Sequence, residues 1–311
     1  MRKYVLSLLI GGICTNGAFA TGLTDAILNV QNACSGISES MYNLKVKAGI
    51  GTAVSAVGTV AGGVALGAGI AKQKTDSEIA ELPDEIYELA KKRVQQDGIG
   101  GVDVEVLHKE IDDYFASLPD EEVVNDVSLE NLVNKSKKQG NLRTGFAGVA
   151  TATNIASTAL AATNKVGADL EQNISNCIEA VSELAKAKIV ASLEETDTDA
   201  DLARAESIIV ACRDYEIVDL KPINSRAVGA AVASGIGAGT GVVGTITSAL
   251  ANTDKTRAGD ATTEHTLNAA ANVMSGATAA AGATAAIFNA TQIAAIKKVV
   301  SVADMCEEAL K

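Results

Sequence analysis

Four long stretches of the chain carry no charged residue: 48–71, 144–164, 227–253 and 266–296. None alternates with period two and none contains proline, so each is predicted to be a helix and no strands are expected. The chain between them is charged and helically periodic. Helices are predicted at 84–95, following Pro83, at 104–118, at 129–138, at 166–193 and at 200–215. In the second of these, Val104, Leu107, Ile111 and Tyr114 or Phe115 share one face. The run Glu195-Thr196-Asp197-Thr198 reads as a turn and Pro222 as a break. The expected fold class is all-α.

The uncharged stretches repeat. The first and third align without gaps at an offset of 179, placing Ser55 on Ser234, Gly58 on Gly237 and Gly62 on Gly241. The second and fourth align at an offset of 128, placing Gly148 on Gly276 and Thr163 on Thr291. Cys34 falls within one residue of Cys212, and Cys177 within one residue of Cys306. The order cysteine, stretch, stretch, cysteine therefore occurs twice, which reads as two tandem antiparallel Gly/Ala-rich hairpins born of a duplication. The offsets differ by 51, so the first hairpin carries a 51-residue insert within 73–143. The expected organisation is a signal segment at 1–20, a first unit at 21–177, a helical connector at 178–211 and a second unit at 212–311.

Small residues in the first stretch step by four and three: Gly51, Ser55, Gly58, Gly62, Ala65 and Gly69. The third stretch repeats the steps with Ala230, Ser234, Gly237, Gly241, Gly244 and Ser248. This is a glycine-zipper seam, where another helix backbone is expected to come close. Glycine inside a helix costs about 1 kcal/mol relative to alanine, so a close contact or a membrane has to offset it. The stretches are long enough to span a bilayer. The first, however, holds only seven large aliphatics, the second carries Asn154 with many Thr and Ser, and no Trp belt flanks them. The sequence favours a close-packed soluble bundle, with membrane insertion as the alternative.

Arg2 and Lys3, an apolar run to Cys14 and the string Ala18-Phe19-Ala20 fit a cleavable export signal, with Ile13 ill-suited to lipidation at Cys14. Cleavage after Ala20 would change the net charge from −12 to −14. Such acidity argues against nucleic acid. Four cysteines would remain, Cys34, Cys177, Cys212 and Cys306, an even number that reads as two disulfides in an exported chain. Equal offsets from the uncharged stretches favour Cys34–Cys177 with Cys212–Cys306. The pairing Cys177–Cys212 with Cys34–Cys306 also satisfies the spacing. No C-x-x-C element is present, and no metal site is expected.

Catalytic motifs fail on context. Gly239-Thr240-Gly241-Val242-Val243-Gly244 matches G-x-G-x-x-G with Asp260 downstream, but no strand precedes it. Asp197, Asp199 and Asp201 alternate as in a calcium loop, yet Leu202 and Ile208 stand where Gly and Glu are needed. Thr198 or Asp199 is better read as the cap of the next helix. His108 and His265 belong to no metal or nucleophile motif, and Glu110, Asp112 and Asp113 read as a solvated face. The expectation is an exported, non-enzymatic structural or interaction protein of the cell envelope, without cofactor or small-molecule substrate. It would meet a protein partner or its own copies. The alternative is a membrane-inserting hairpin protein, a pore former or envelope anchor.

Overall fold

The computed structural model describes residues 22–96, 129–194, 197–253 and 261–311. The expected signal segment, the helix at 104–118, His108, Glu110, Asp112, Asp113 and Asp260 lie outside them. The described residues are all-helical, with no strand among them. They form α1 (Leu23–Cys34), α2 (Ile37–Gln96), α3 (Leu129–Thr163), α4 (Ala168–Glu194), α5 (Asp199–Cys212), α6 (Lys221–Ala251) and α7 (Ala261–Ala309). A 3-10 turn, Arg213–Ile217, follows α5.

Local chemistry sets several boundaries. Between α1 and α2, Gly36 takes φ +76°, a left-handed conformation that glycine reaches without Cβ strain. Thr198 caps α5, its side-chain oxygen accepting from the Asp201 backbone N–H at 3.3 Å. The expected boundary at Pro83 is absent, since α2 runs through it to Gln96. A missing N–H there forfeits one intrahelical bond, and the helix continues on either side. The helix expected at 129–138 likewise continues through the second uncharged stretch as α3.

The chain divides into two compact units whose boundaries cut across the sequence repeats. The first gathers the described residues up to Gly49 with Asn164–Arg226 and Thr291–Lys311, and the second gathers Ile50–Thr163 with Ala227–Ala290. Each thus draws on both halves of the chain.

The first unit has an ordinary apolar core. Leu23, Val30, Ile37, Met41, Leu184, Ile208, Ile223, Ile296 and Val299 are buried in one cluster, and α1 packs on α4, which packs on α5. Outside, Asn29 Nδ2 donates to Glu183, and Lys188 pairs with Glu206. Two disulfides lie within this unit, Cys34–Cys177 and Cys212–Cys306. They close 143 and 94 residues of sequence, so each contributes about 4–5 kcal/mol in the chain-entropy account. Tyr215 is fully buried beside them in sequence and cluster. Burial pushes its phenol well above the usual range, and the carboxylates of Glu307 and Asp304 reinforce the shift.

The second unit contains the flanks of the expected insert. Gln73, Asp76, Ser136 and Arg143 all fall within 73–143, yet they sit on α2 and α3 and engage one another or α7. The 51 inserted residues fit between Asp76 and Ser136, clear of these contacts, whereas the whole of 73–143 does not. Replacing 97–128 by a short polar linker should preserve a cooperative helical melt by circular dichroism. Removing all of 73–143 should abolish it or lower its midpoint by more than 10 °C, because that deletion takes away buried side chains of the second unit.

Candidate functional site: a polar seam in an uncharged helical unit

Every helix of the second unit buries one residue every three or four. On α2 these are Gly51, Ser55, Gly58, Gly62, Ala65, Gly69 and Lys72. On α6 they are Ala230, Ser234, Gly237, Gly241, Gly244 and Ser248. Steps of three and four keep a position on one face of a helix. Two further seams escaped the sequence reading: Ser136, Gly140, Arg143, Ala147, Ala150, Asn154 and Ser157 on α3, and Asn268, Asn272, Ser275, Thr278, Gly282, Ala285 and Asn289 on α7.

Small size at the seam admits close neighbours. A Cβ on Gly62 would lie 3.0 Å from the backbone of Ala279, and one on Gly241 would lie 3.2 Å from the Cα of Thr151. One on Gly58 would meet Thr153 Oγ1 at 2.6 Å, and one on Gly237 would meet Asn154 at 2.8 Å. Asn154 thus fills the space left by glycines on two helices. A side chain larger than hydrogen at these positions has to displace a neighbouring helix.

The seam is polar as well as small. Ser55 Oγ and Ser157 Oγ stand 2.6 Å apart, Ser157 and Ser234 2.9 Å apart, and Ser234 Oγ donates to the Ala230 carbonyl at 2.8 Å. One hydroxyl chain therefore ties α2, α3 and α6 together at one level. Thr240 and Thr278 hydroxyls meet at 3.0 Å between α6 and α7. A small void, about 160 Å³ of non-atom space, lies among Gly62, Ala147, Ala150, Gly241, Gly244, Ser275 and Thr278.

Charge gathers at one end of the seam. The buried Lys72 ammonium donates to Asp76 at 2.5 Å and to Glu264 at 2.7 Å. Asp76 also accepts from Ser136 Oγ at 2.6 Å and from Asn268 Nδ2 at 3.2 Å. Arg143, fully buried, lies across Gly69 with its Cδ 2.8 Å from where a Cβ would stand. Among the described residues its three nitrogens meet no hydrogen-bond acceptor, and Asn272 Oδ1 and Asn268 Oδ1 meet no donor. Such groups are costly to bury dry, so this end of the seam is the least self-satisfied part of the unit.

The outer faces invert the usual arrangement. Val57, Val60, Ile70, Ile155, Val232, Ile236, Ile246, Val273 and Ile287 are exposed, Val60 at 67% and Ile287 at 64%. Exposed threonines turn their hydroxyls inward to the backbone: Thr163, Thr266 and Thr284 each donate to the carbonyl four residues back. Among the described residues three helices are long and apolar enough to cross a membrane, within Leu23–Glu78, Lys221–Ala251 and Thr262–Ala309. The Thr-rich α3 is not among them.

The other sequence candidates resolve simply. The G-x-G-x-x-G string lies inside α6, where no strand–turn–helix exists to hold a dinucleotide. His265 is exposed and meets Gln73, ring nitrogen to amide nitrogen, at 3.2 Å. The four cysteines converge despite their sequence spacing. The sulfurs of Cys34, Cys177 and Cys306 all lie within 4.8 Å of one another, and that of Cys212 is bonded to Cys306. Comparison with known protein families, with characterised proteins and with solved structures finds no match.

Two adjacent glycines of α2, one packed against a neighbouring helix and one open, give a matched test of the seam. Gly62→Ala should cost about 1–3 kcal/mol through overpacking against Ala279. Gly63→Ala, where an added Cβ meets nothing within 4 Å, should leave stability unchanged or raise it by up to about 1 kcal/mol. Chemical denaturation in matched conditions measures both. In the same assay Lys72→Met, which leaves Asp76 and Glu264 without their shared cation, should cost about 3–5 kcal/mol.

Proposed function

We propose that this is an exported, non-enzymatic protein of the cell envelope whose second unit lies in a lipid bilayer and anchors the disulfide-bonded first unit outside it. The observation that carries this reading is the inverted second unit, with hydroxyls, amides and charges buried at the seam and Val, Ile, Ala and Gly facing out. In water such a surface would be an uncharged apolar patch of a size that soluble monomers rarely expose. In lipid it is the favoured surface, and small-residue seams with interhelical hydrogen bonds supply the packing. Threonines bonded to their own helix backbone suit the same surroundings.

Chain order sorts the faces. The chain leaves the first unit on α2 and returns on α3, then leaves on α6 and returns on α7. Four crossings bring every segment of the first unit back to one side of the bilayer. That side is the oxidising one, because both disulfides form there.

A duplicated pair of hairpins belongs to the same proposal. Gly62 and Gly241 are equivalent under the offset of 179, and their partners Ala279 and Thr151 are equivalent under the offset of 128. Gln292 Nε2 donates to the Asn164 carbonyl at 2.8 Å, and these two positions are also 128 apart. Each hairpin thus packs against the other in corresponding ways, as expected of two copies that pair about a local twofold axis.

Fractionation tests the reading. The full chain should stay with membranes through alkaline carbonate washing and dissolve only in detergent. Release by osmotic shock as a soluble protein would overturn it and favour an envelope bundle whose apolar faces are covered by other copies. Val60→Asp and Val232→Asp should each disfavour insertion by about 2.5–3.5 kcal/mol on the scale for a helix centre, and so raise the carbonate-extractable fraction.

A further inference from the structure

We propose that the four cysteines form a two-state staple: two disulfides under oxidising conditions, and a tetrahedral four-thiolate site for zinc or a similar soft divalent cation when reduced. The inference is independent of the membrane reading, since all four residues belong to the first unit.

Cys34 ends α1, Cys177 lies in α4, Cys212 ends α5 and Cys306 lies near the end of α7, so four separate helices deliver one thiol each to one place. All four are at most 1% exposed. The sulfurs of Cys34, Cys177 and Cys306 already lie within 4.8 Å of one another across the two disulfides, with Cys212 joined to Cys306. A tetrahedral zinc–thiolate site has metal–sulfur bonds of about 2.3 Å, which places its sulfurs about 3.8 Å apart. For Cys34, Cys177 and Cys306 the contacts between disulfides therefore need to close by about 1 Å or less to reach that spacing, and Cys212, held by its bond to Cys306, has to swing in as the fourth ligand. Once the disulfides are cleaved, each former pair separates to the same spacing.

The cysteines belong to one buried, largely apolar core with Ile37, Met41, Leu184, Ile208 and Val299. Thiolate sulfur selects zinc-like ions over calcium or magnesium. A buried hydroxyl, that of Tyr215, finds no protein partner. Tyr215 lies three residues beyond Cys212, and Asp304 and Glu307, which bracket Cys306 in α7, act on it electrostatically. It is a donor three residues from one of the four thiols, where a thiolate cluster would need one.

The chemistry balances with a dithiol reductant. Two equivalents convert the two disulfides to four thiols and leave as their own cyclic disulfides. One divalent cation then binds four thiolates and releases four protons. The staple would thus hold α1, α4, α5 and α7 together in either redox state, by covalent bonds in one and by metal–ligand bonds in the other.

Cobalt(II) tests this directly. The purified full chain is reduced with a dithiol, freed of it without air, and titrated with cobalt(II) alone. One cobalt per chain should bind, with the visible absorption of a tetrahedral ion and the charge-transfer band of thiolate ligands, and one equivalent of zinc should bleach both. The doubly substituted C34S/C177S chain, carried through the same reduction, keeps only two of the four thiols and should not give the four-thiolate spectrum. If the reduced chain, folded or unfolded, fails to take up one equivalent of cobalt with thiolate charge transfer, or if the control gives the same spectrum, the proposal is overturned.

Discussion

Contact between helix backbones is the constraint from which the second unit follows. With Gly62 set against the backbone of Ala279 and Gly241 against Thr151, these levels of the seam have no room for a branched side chain at the glycine positions. Large aliphatics are therefore displaced to the outer faces, at Val60, Val232 and Ile287 among others. What remains inside has to be small, or has to fit a space that a glycine leaves, as Asn154 does beside Gly58 and Gly237. Polar groups are tolerated there because their partners sit on the next helix: Ser55, Ser157 and Ser234 satisfy one another in a line. Close approach and a polar interior are in this sense one property.

The same helices behave differently in the first unit because the seam changes character along them. On α2 the buried positions run Met41, Leu44 and Ala48 before Gly51 and Ser55, without a change of step. On α7 they run Gly282, Ala285, Asn289 and Gln292 before Ile296, Val299 and Ala303. Large apolar residues give the first unit an ordinary core that two disulfides reinforce, and its surface carries charge. The lysine–carboxylate group at Lys72, with the unpartnered Arg143 close by, marks the far limit of the uncharged stretches. Substituting either partner of a buried pair is more damaging than the pair itself is stabilising, so this group restricts which residues the end of the seam accepts.

Helix class was legible because period and composition agree over long stretches, and the α2 and α6 seams were legible because their small residues stand out at fixed steps. The α3 and α7 seams were not. Their buried positions mix Arg143, Asn154 and Asn272 with alanine, and a buried asparagine facing a glycine has no sequence signature of its own. The unit boundaries were hidden for a different reason: compactness depends on which helix pairs with which, and the two halves of the chain are gathered into both units. Offsets between repeats give the length of the insert but not its edges, and α2 and α3 extend the seam past the repeated part to Asp76 and Ser136. Separation in sequence concealed the cysteine cluster, whose members are brought together by four different helices.

The central claim is that the aliphatic faces of the second unit contact lipid while its polar seam does not. Single cysteines introduced at Val60, Ile236 and Ile287, with the native cysteines held as disulfides, can carry a fluorophore in reconstituted vesicles. Fluorescence at all three should be quenched by lipids bearing nitroxide on their acyl chains and protected from aqueous iodide, while a label at Leu193 or Ile217, both exposed in the first unit, should show the reverse. Equal access of iodide to both sets of positions, with no quenching from the acyl chains, would contradict the account.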